Sequence, residues 1–204
     1  MKRLVKLDFK KYFRNNYIII ILVFFFFVMG IFFGSMGVNV LSDSQITNLQ
    51  SFMDNGIKNI DDNYNSQVTI KYAILRNLQT LAKVWFLGLT VIGLPLILII
   101  IFTRGFILGF TVGFLIKNKA LEGLMLILLT VLPQNIINIP ALIIAGILAV
   151  NFCVYLVKGN KNNAYSLIAY FIRYTVIMLS IAVIMIGAGI IEGYVIPLTS
   201  NMLK

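Results

Sequence analysis

Long apolar runs without charge constrain this chain more than any other feature of its sequence. The run 17–38 contains no charged residue. As a helix it is ~33 Å long, enough to cross the ~30 Å hydrocarbon core of a bilayer. Of the 204 residues 60% are hydrophobic and 12% charged, whereas a soluble domain is ~45–50% apolar and ~25% charged. The sequence therefore predicts an all-α polytopic integral membrane protein.

The apolar runs predict a single membrane domain over residues 1–204 with about five transmembrane helices. The predicted segments are a cytoplasmic basic segment 1–16, span 1 at 17–38, an extracytoplasmic helical loop at 39–83, span 2 at 84–103, a broken span 3 at 104–132, span 4 at 136–157 and span 5 at 164–191.

The stretch 104–132 is open to three interpretations, because its two halves of ~12–13 residues are each too short to cross a bilayer alone. It makes one broken span, or span 2 runs long and 120–138 makes the third span. Both arrangements give five crossings and an extracytoplasmic C-terminus. The alternative is a re-entrant hairpin, which would place the C-terminus in the cytoplasm.

Positive charge is concentrated before the first span. Six basic residues stand there against the single acid Asp8: Lys2, Arg3, Lys6, Lys10, Lys11 and Arg14. Because cytoplasmic flanks carry the excess of Lys and Arg, this predicts a cytoplasmic N-terminus. The net charge of +10 then favours anionic lipid at the cytoplasmic face over nucleic acid as the partner.

The polar loop 39–83 carries apolar residues at helical spacing, which predicts a small extracytoplasmic helical hairpin. One stripe comprises Ile46, Leu49, Met53, Ile57 and Ile60, and the second comprises Ile70, Ile74, Leu78 and Leu81. The stripes either lie on the lipid interface or form a docking surface for an extracytoplasmic partner. The candidate docking residues are Phe52, Met53, Ile57, Tyr64 and Tyr72.

Glycines recur at intervals of four in two of the apolar runs. Gly105, Gly109 and Gly113 share one helix face, and Gly30 and Gly34 repeat the pattern in the first span. Small residues at this spacing let two membrane helices approach closely. The glycines therefore predict helix-packing faces, either inside one bundle or in a homo-oligomer or partner seam.

Three charged residues lie in or beside the apolar runs, namely Arg104, Arg173 and Glu192. A charge at the bilayer centre costs at least ~2.5–3.5 kcal/mol. Each of these residues is therefore expected to lie at the membrane interface or to pair with a buried group. Arg173 and Glu192 would be ~28 Å apart on one helix, so they cannot pair with each other there.

A polar segment with two prolines separates two apolar runs and predicts a broken helix. Its residues are Pro133, Gln134, Asn135, Asn138 and Pro140. The carboxamides can satisfy backbone groups that proline leaves unpaired, which lipid cannot do. The segment is either a polar plug or a recognition or transport site.

The residues needed for common catalytic chemistry are largely missing. The chain has no His, one Cys and seven carboxylates, so no His-based triad, zinc cluster or disulfide within the chain can form. The carboxylates of the loop have no second layer with which to build the cleft of a glycoside hydrolase. We expect no catalytic residues, no metal and no cofactor.

Three stretches in order carry a family resemblance: Asn15-Asn16, the segment from Arg104-Gly105-Phe106, and the segment from Leu132-Pro133-Gln134-Asn135 to Ala141. Nearly the whole chain resembles the stage II sporulation protein M (SpoIIM) family. Many relatives in the wider family carry Pro-His-Gly and then Glu where this chain has Pro133-Gln134-Asn135 and Asn138. This departure favours a structural role.

The resemblance implies a polytopic scaffold at the sporulation septum, on the mother-cell side. It would assemble with two peptidoglycan-degrading proteins, SpoIID and SpoIIP, during engulfment of the forespore. The alternative is a transporter or channel subunit that uses the segment Pro133–Pro140, because discontinuous helices often mark substrate sites.

Overall fold

The computed structural model describes residues 16–52, 66–158 and 164–202, and these are helical almost throughout, with no strand among them. The predicted all-α fold is confirmed. The helices are α1 (Tyr17–Gly37), α2 (43–52), α3 (Ser66–Gly88), α4 (Gly93–Leu126), α5 (Leu132–Lys158) and α6 (Ala164–Met202), with a 3₁₀ turn at Val38–Val40 and a π-helical segment at Ile127–Val131.

Four stretches of the described helices are long and apolar enough to cross a membrane, close to the predicted number of about five. They are Tyr17–Val40, Gly93–Asn118, Asn135–Lys158 and Leu167–Ile191. The chain is therefore a multi-pass membrane protein.

Helices α1 and α4 pack against each other in parallel. A Cβ built on Gly105 would meet the backbone at Phe27 and Ile31, one on Gly109 would meet Ile31, and one on Gly113 would meet Ser35. A later residue of α4 thus meets a later residue of α1, which is the pattern of parallel helices. Because parallel neighbours need a return path, the chain between them must run back along the bundle.

Helix α3 provides this return path. It is joined to α4 by a tight turn at residues 89–92, and Thr80 of α3 lies beside Arg104 of α4, so the two helices are antiparallel. The predicted span at 84–103 is therefore divided between two helices. The predicted loop 39–83 likewise contains most of α3, a ~34 Å helix that lies level with the apolar spans.

The turn at 89–92 falls inside an apolar run, which is why hydropathy alone did not indicate it. Backbone hydrogen bonds join Leu89 N to the Phe86 carbonyl and Gly93 N to the Thr90 carbonyl, each 3.1 Å long. A Cβ on Gly93 would lie 2.6 Å from the Leu87 carbonyl carbon, so this close approach requires glycine. Lipid imposes no penalty on an apolar turn whose backbone is bonded internally.

Helices α4 and α5 are antiparallel, although the backbone between them remains helical or π-helical. Gly146 of α5 lies against Ile101 of α4, while Leu108 and Ile139 line the same cavity. Val112 and Ile127 also share a pocket, whereas a straight helix would separate them by ~22 Å. The chain therefore turns back between these two residues.

This reversal changes the predicted bounds of the third span. Residues 104–118 belong to the apolar stretch that begins at Gly93, the helix itself continues to Leu126, and the irregular part of 104–132 is the π-helical segment. The segment 133–140 is helical rather than broken, with Pro140 inside α5. The half-helices that suggested a transport site are therefore absent from residues 93–158.

The core lies where α3, α4, α5 and α6 meet, and α6 runs antiparallel to α3. The Tyr174 hydroxyl donates to the Trp85 carbonyl at 3.0 Å, and a Cβ on Gly189 would lie 3.2 Å from the Ile74 Cα. The buried side chains include Val84, Ile97, Ile101, Val150 and Met178. Five helices thus run between the two ends of the bundle, one of them less apolar than the rest.

The two ends of the bundle can be told apart by what they carry. The register of α1 and α4 places Tyr17 near the turn at 89–92, and Cys153 Sγ lies 3.3 Å from the Thr90 carbonyl. This end therefore carries the start of α1 and the end of α5, and we call it the basic end because the basic segment 1–16 directly precedes α1 in the sequence and Lys158 ends α5. The opposite end carries α2, whose Gln50 Nε2 donates to Asn118 Oδ1 at 3.2 Å.

Candidate functional site: a polar cavity inside the bundle

A cavity of about 230 Å³ lies among α3, α4, α5 and α6. It extends from the middle of the bundle toward the end opposite the basic end. Its polar lining residues are Arg76, Asn77, Thr80, Arg104, Thr111, Asn135 and Asn138. Two of these lining residues, Arg76 and Arg104, are basic.

Arg76 lies near the middle of α3, and Arg104 lies near the middle of the apolar stretch Gly93–Asn118 of α4. Arg104 is eleven residues after the start of α4 at Gly93, and Arg76 is twelve residues before the end of α3 at Gly88. At 1.5 Å per residue these are depths of ~17 and ~18 Å from the 89–92 turn. A guanidinium at mid-depth cannot reach the interface as easily as one near a helix end, so its charge must be stabilised within the protein.

Thr80 links the two arginine-bearing helices. The Arg104 guanidinium donates a hydrogen bond to Thr80 Oγ1, and the same hydroxyl donates to the Arg76 carbonyl at 3.0 Å. One hydroxyl thus accepts from the cation of α4 and donates to the backbone of α3. This bridge holds Arg104 at the cavity.

Two asparagine atoms at the cavity are buried and have no hydrogen-bond partner among the described residues. They are the Asn77 amide nitrogen and the Asn138 side-chain oxygen. Asn77 as a whole is only 4% exposed. A buried polar atom without a partner costs ~1–3 kcal/mol, so a water molecule or another polar group beside these two atoms would be stabilising.

The carboxamide of Asn135 has a structural role at the start of α5. Its Nδ2 donates to the Val131 carbonyl at 2.7 Å, where the π-helical segment meets the helix. Pro133 lies in the first turn of α5, where its missing N–H is tolerated. The side chain of Gln134 lies outside the described part of the chain, while Pro140 is exposed inside the helix.

The structure separates the three predicted membrane charges. Arg104 lies at the cavity, whereas Arg173 is exposed in the first third of α6, close to the basic end. The side chain of Glu192 is outside the described residues, although its backbone belongs to α6.

Sequence reasoning missed the contribution of α3 to the cavity, because Arg76, Asn77 and Thr80 were assigned to an external loop. A signal was nevertheless present. The buried residues of α3 are spaced by four, four, three and four residues, and Asn77 is one of them: Ala73, Asn77, Leu81, Val84 and Gly88. A polar residue in such a stripe faces the interior of a bundle.

The glycines form a seam between α1 and α4 within one chain. A Cβ on Gly34 would lie 2.9 Å from the Phe106 Cα, one on Gly109 2.8 Å from the Ile31 Cα, and one on Gly113 3.3 Å from the Ser35 Cα. Gly30 and Gly105 approach the facing backbone as closely. Beside the seam, aromatic rings follow at intervals of four along α4, with Phe110 stacked between Phe106 and Phe114 and with Phe102 tilted against Phe106.

The candidate docking residues are only partly described. Phe52 is 78% exposed at the end of α2, and Tyr72 is 69% exposed on α3. Met53, Ile57 and Tyr64 lie outside the described residues.

Helix α2 begins with a capping arrangement, in which Ser42 N donates to Gln45 Oε1 at 3.0 Å. Lys117 Nζ also donates to Asn39 Oδ1 at 3.2 Å, which ties the start of the loop to α4.

No group of three or more His, Cys, Asp or Glu side chains that could hold a metal occurs among the described residues. The only cysteine of the chain, Cys153, is buried. Its thiol faces the carbonyls of the 89–92 turn, with Gly88 O at 3.4 Å and Thr90 O at 3.3 Å. This contact joins α5 to the turn and offers no nucleophile–base pair.

Comparison with protein-family models identifies one match, the model of stage II sporulation protein M (SpoIIM), over residues 9–197. Neither the curated proteins nor the solved structures contain a match. Because the family model covers nearly the whole chain, including all of the bundle except the last residues of α6, the chain belongs to the SpoIIM family.

Proposed function

We propose that this SpoIIM-family protein is a non-catalytic membrane scaffold. It would recruit peptidoglycan-degrading partners of the SpoIID and SpoIIP type to the sporulation septum. The family match over residues 9–197 is the observation that carries the proposal. The exposed apolar side chains of Phe52 and Tyr72 support it, because large apolar side chains supply most of the binding energy at interfaces.

The proposal places the basic end of the bundle in the cytoplasm. Residues 1–16 and Lys158 adjoin that end, while α2 and Asp43 belong to the other. The positive-inside rule then orients the chain with α2 and the C-terminus outside, where wall-degrading enzymes act. Anionic lipid would bind at the basic end. The septal location on the mother-cell side follows from the family resemblance.

Affinity purification from sporulating cells in mild detergent tests this function. We expect extracytoplasmic wall-degrading proteins to be recovered with the wild-type chain. Recovery should fall when residues 44–64 are replaced by a Gly/Ser linker, a replacement that leaves α3 and the bundle intact. Phe52→Ser should reduce recovery, and the matched control Ile92→Ser, at an exposed apolar residue of the opposite end, should not.

One result would contradict the scaffold itself, and another would contradict its docking surface. One is recovery of the wild-type chain without wall-degrading proteins. The other is undiminished recovery of them after replacement of residues 44–64, which would show that this loop is not the docking surface.

A further inference from the structure

Two asparagine side chains at the polar cavity have buried atoms with complementary hydrogen-bonding needs. The Asn77 amide nitrogen on α3 is a donor without an acceptor among the described residues, and the Asn138 side-chain oxygen on α5 is an acceptor without a donor there. Both side chains line the same cavity of about 230 Å³. A single group that accepts from Asn77 and donates to Asn138 would therefore satisfy both atoms.

A water molecule combines these two functions in one oxygen atom. Buried water in proteins makes ~3 hydrogen bonds, mostly to polar groups that have no other partner. One water molecule occupies ~30 Å³ in the liquid, so a cavity of about 230 Å³ is large enough for several of them. Water satisfies the two asparagine atoms whatever groups the arginine side chains pair with.

The lining of the cavity favours water over lipid. Seven of the thirteen lining residues have polar or charged side chains. Acyl chains cannot form hydrogen bonds with such groups, and cavities that stay empty in proteins are apolar. Thr111, which also lines the cavity, is seven residues before Asn118 at the end of the apolar stretch of α4. This distance is ~11 Å along the helix, so bulk water lies close to one end of the cavity.

A second pocket, between α1, α4 and α5, shows the opposite character. Ser35 and Asn135 have the only polar side chains in its lining. Each of them already donates to a nearby backbone carbonyl, Ser35 to Phe32 and Asn135 to Val131. Lipid chains can fill this pocket without depriving a buried polar atom of its partner. The need for water is therefore specific to the cavity that contains Asn77 and Asn138.

We propose that water occupies the polar cavity and that one water molecule bridges Asn77 and Asn138. This water accepts a hydrogen bond from the amide of α3 and donates one to the side-chain oxygen of α5. The bridge joins α3, which is less apolar than α1, α4, α5 and α6, to the interior of the bundle. Hydration would thus hold in place the helix that lipid stabilises least.

Water-edited solid-state NMR of the full-length protein in liposomes tests the site. Magnetisation that starts on water should reach the side-chain amides of Asn77 and Asn138 several-fold faster than that of Asn151. Asn151 is the matched control because it is buried as well, at 8% exposed, and does not line the cavity. Its Nδ2 donates to the Ile147 carbonyl at 3.0 Å, so it has a partner within its own helix.

Two NMR results would overturn the proposal. One is transfer from water to Asn77 that is no faster than transfer to Asn151. The other is rapid transfer to Asn77 from the protons of lipid acyl chains, since lipid would then fill the cavity. Both results are read from wild-type protein, so neither depends on whether a variant folds.

A double-mutant cycle tests the bridge itself. Asn77→Leu and Asn138→Leu should each lower the midpoint of thermal unfolding, because each leaves the other asparagine without its half of the bridge. The double variant should lose less than the sum of the two shifts, because the bridge can be lost only once.

The control cycle pairs Asn77→Leu with Asn151→Leu. Asn151 lies thirteen residues after Asn138 on α5, or ~20 Å along the helix. The two shifts of this pair should therefore add. Additive shifts in the Asn77 and Asn138 pair as well would show that these residues share no water, and would overturn the bridge.

Discussion

Single glycines decide how closely α1 and α4 approach. At Gly34 and Gly109 the facing backbone leaves no room for even one methyl group. In lipid there is little hydrophobic driving force between helices, so close backbone packing supplies much of the association energy. The sequence spacing indicated that these glycines share a face, and the structure adds which backbone each of them meets.

Gly109→Ala should destabilise the bundle by on the order of 1–3 kcal/mol, because its Cβ would lie 2.8 Å from the Ile31 Cα and force α1 outward. Thermal unfolding in detergent micelles measures the change. Gly187→Ala is the control, since nothing lies within 4 Å of the built Cβ there. Equal effects of the two substitutions would show that the seam is not tightly packed.

The sequence indicates less about which polar residues come together than about which glycines share a helix face. Asn135 and Asn138 follow Arg104 by 31 and 34 residues in the sequence, yet all three line one cavity. Nothing local in the sequence signals this, because the pairing depends on where the chain reverses between α4 and α5. Arg104 could be recognised from its position within an apolar run, since an isolated charge in lipid is costly.

At the scale of elements, α3 is the helix that the sequence places mostly in an external loop and that the structure packs against α4, α5 and α6. Its polar residues lower its mean hydropathy, and it is not among the four helices that are apolar enough to cross by themselves. It can pass through the bundle because α4, α5 and α6 cover its buried face. A polar helix shielded by neighbours resembles an external loop when only hydropathy is considered.

Cysteine labelling tests whether α3 crosses the membrane. In a Cys153→Ser background, Ser44→Cys should be labelled by an impermeant maleimide in intact cells. Val91→Cys, which lies 57% exposed in the turn after α3, should be labelled only after permeabilisation. The physical reason is that α1 and α3 run in opposite directions. Ser44, which follows α1, and Val91, which follows α3, therefore lie at opposite ends of the bundle.

Labelling of Ser44→Cys and Val91→Cys from the same side would mean that α3 does not cross. The Cys153→Ser background protein without an added cysteine serves as the control for non-specific labelling. Serine retains a donor that can face the carbonyls of the 89–92 turn, so the background protein should keep the native packing.

At the scale of the whole molecule, the parallel pairing of α1 with α4 closes the bundle around its core. The two helices are distant in sequence, and α2 and α3 lie between them. The glycine faces of α1 and α4 thus pack against each other within one chain, which is one of the two interpretations of the glycine pattern. The other interpretation, a homo-oligomer seam, would require α1 and α4 to separate first.

Disulfide cross-linking tests this arrangement. Ser35→Cys with Gly113→Cys, in the Cys153→Ser background, should form a reducible link at monomer mass. The Cβ of residue 113 would lie 3.3 Å from the Ser35 Cα, so the two backbones are close enough for a disulfide, which needs Cα atoms ~4.4–6.8 Å apart. The control pair Ser35→Cys with Thr103→Cys lies on the same helices but ~15 Å apart along the axis, so it should not link. A cross-linked product at dimer mass would contradict the single-chain seam.

The sequence by itself determined the class of the protein, the first span, the basic end and the scarcity of catalytic side chains. These properties depend on composition and on local hydropathy, because each side chain has its own free energy of transfer into the bilayer. Only the tertiary structure decided the turn inside the apolar run, the passage of α3 through the bundle and the meeting of Arg76 with Arg104. The bilayer accepts an apolar segment whether it is helical or forms an internally bonded turn, and it does not contact the shielded face of a polar helix. The position of the turn and the packing of α3 therefore depend on contacts between helices that are distant in sequence.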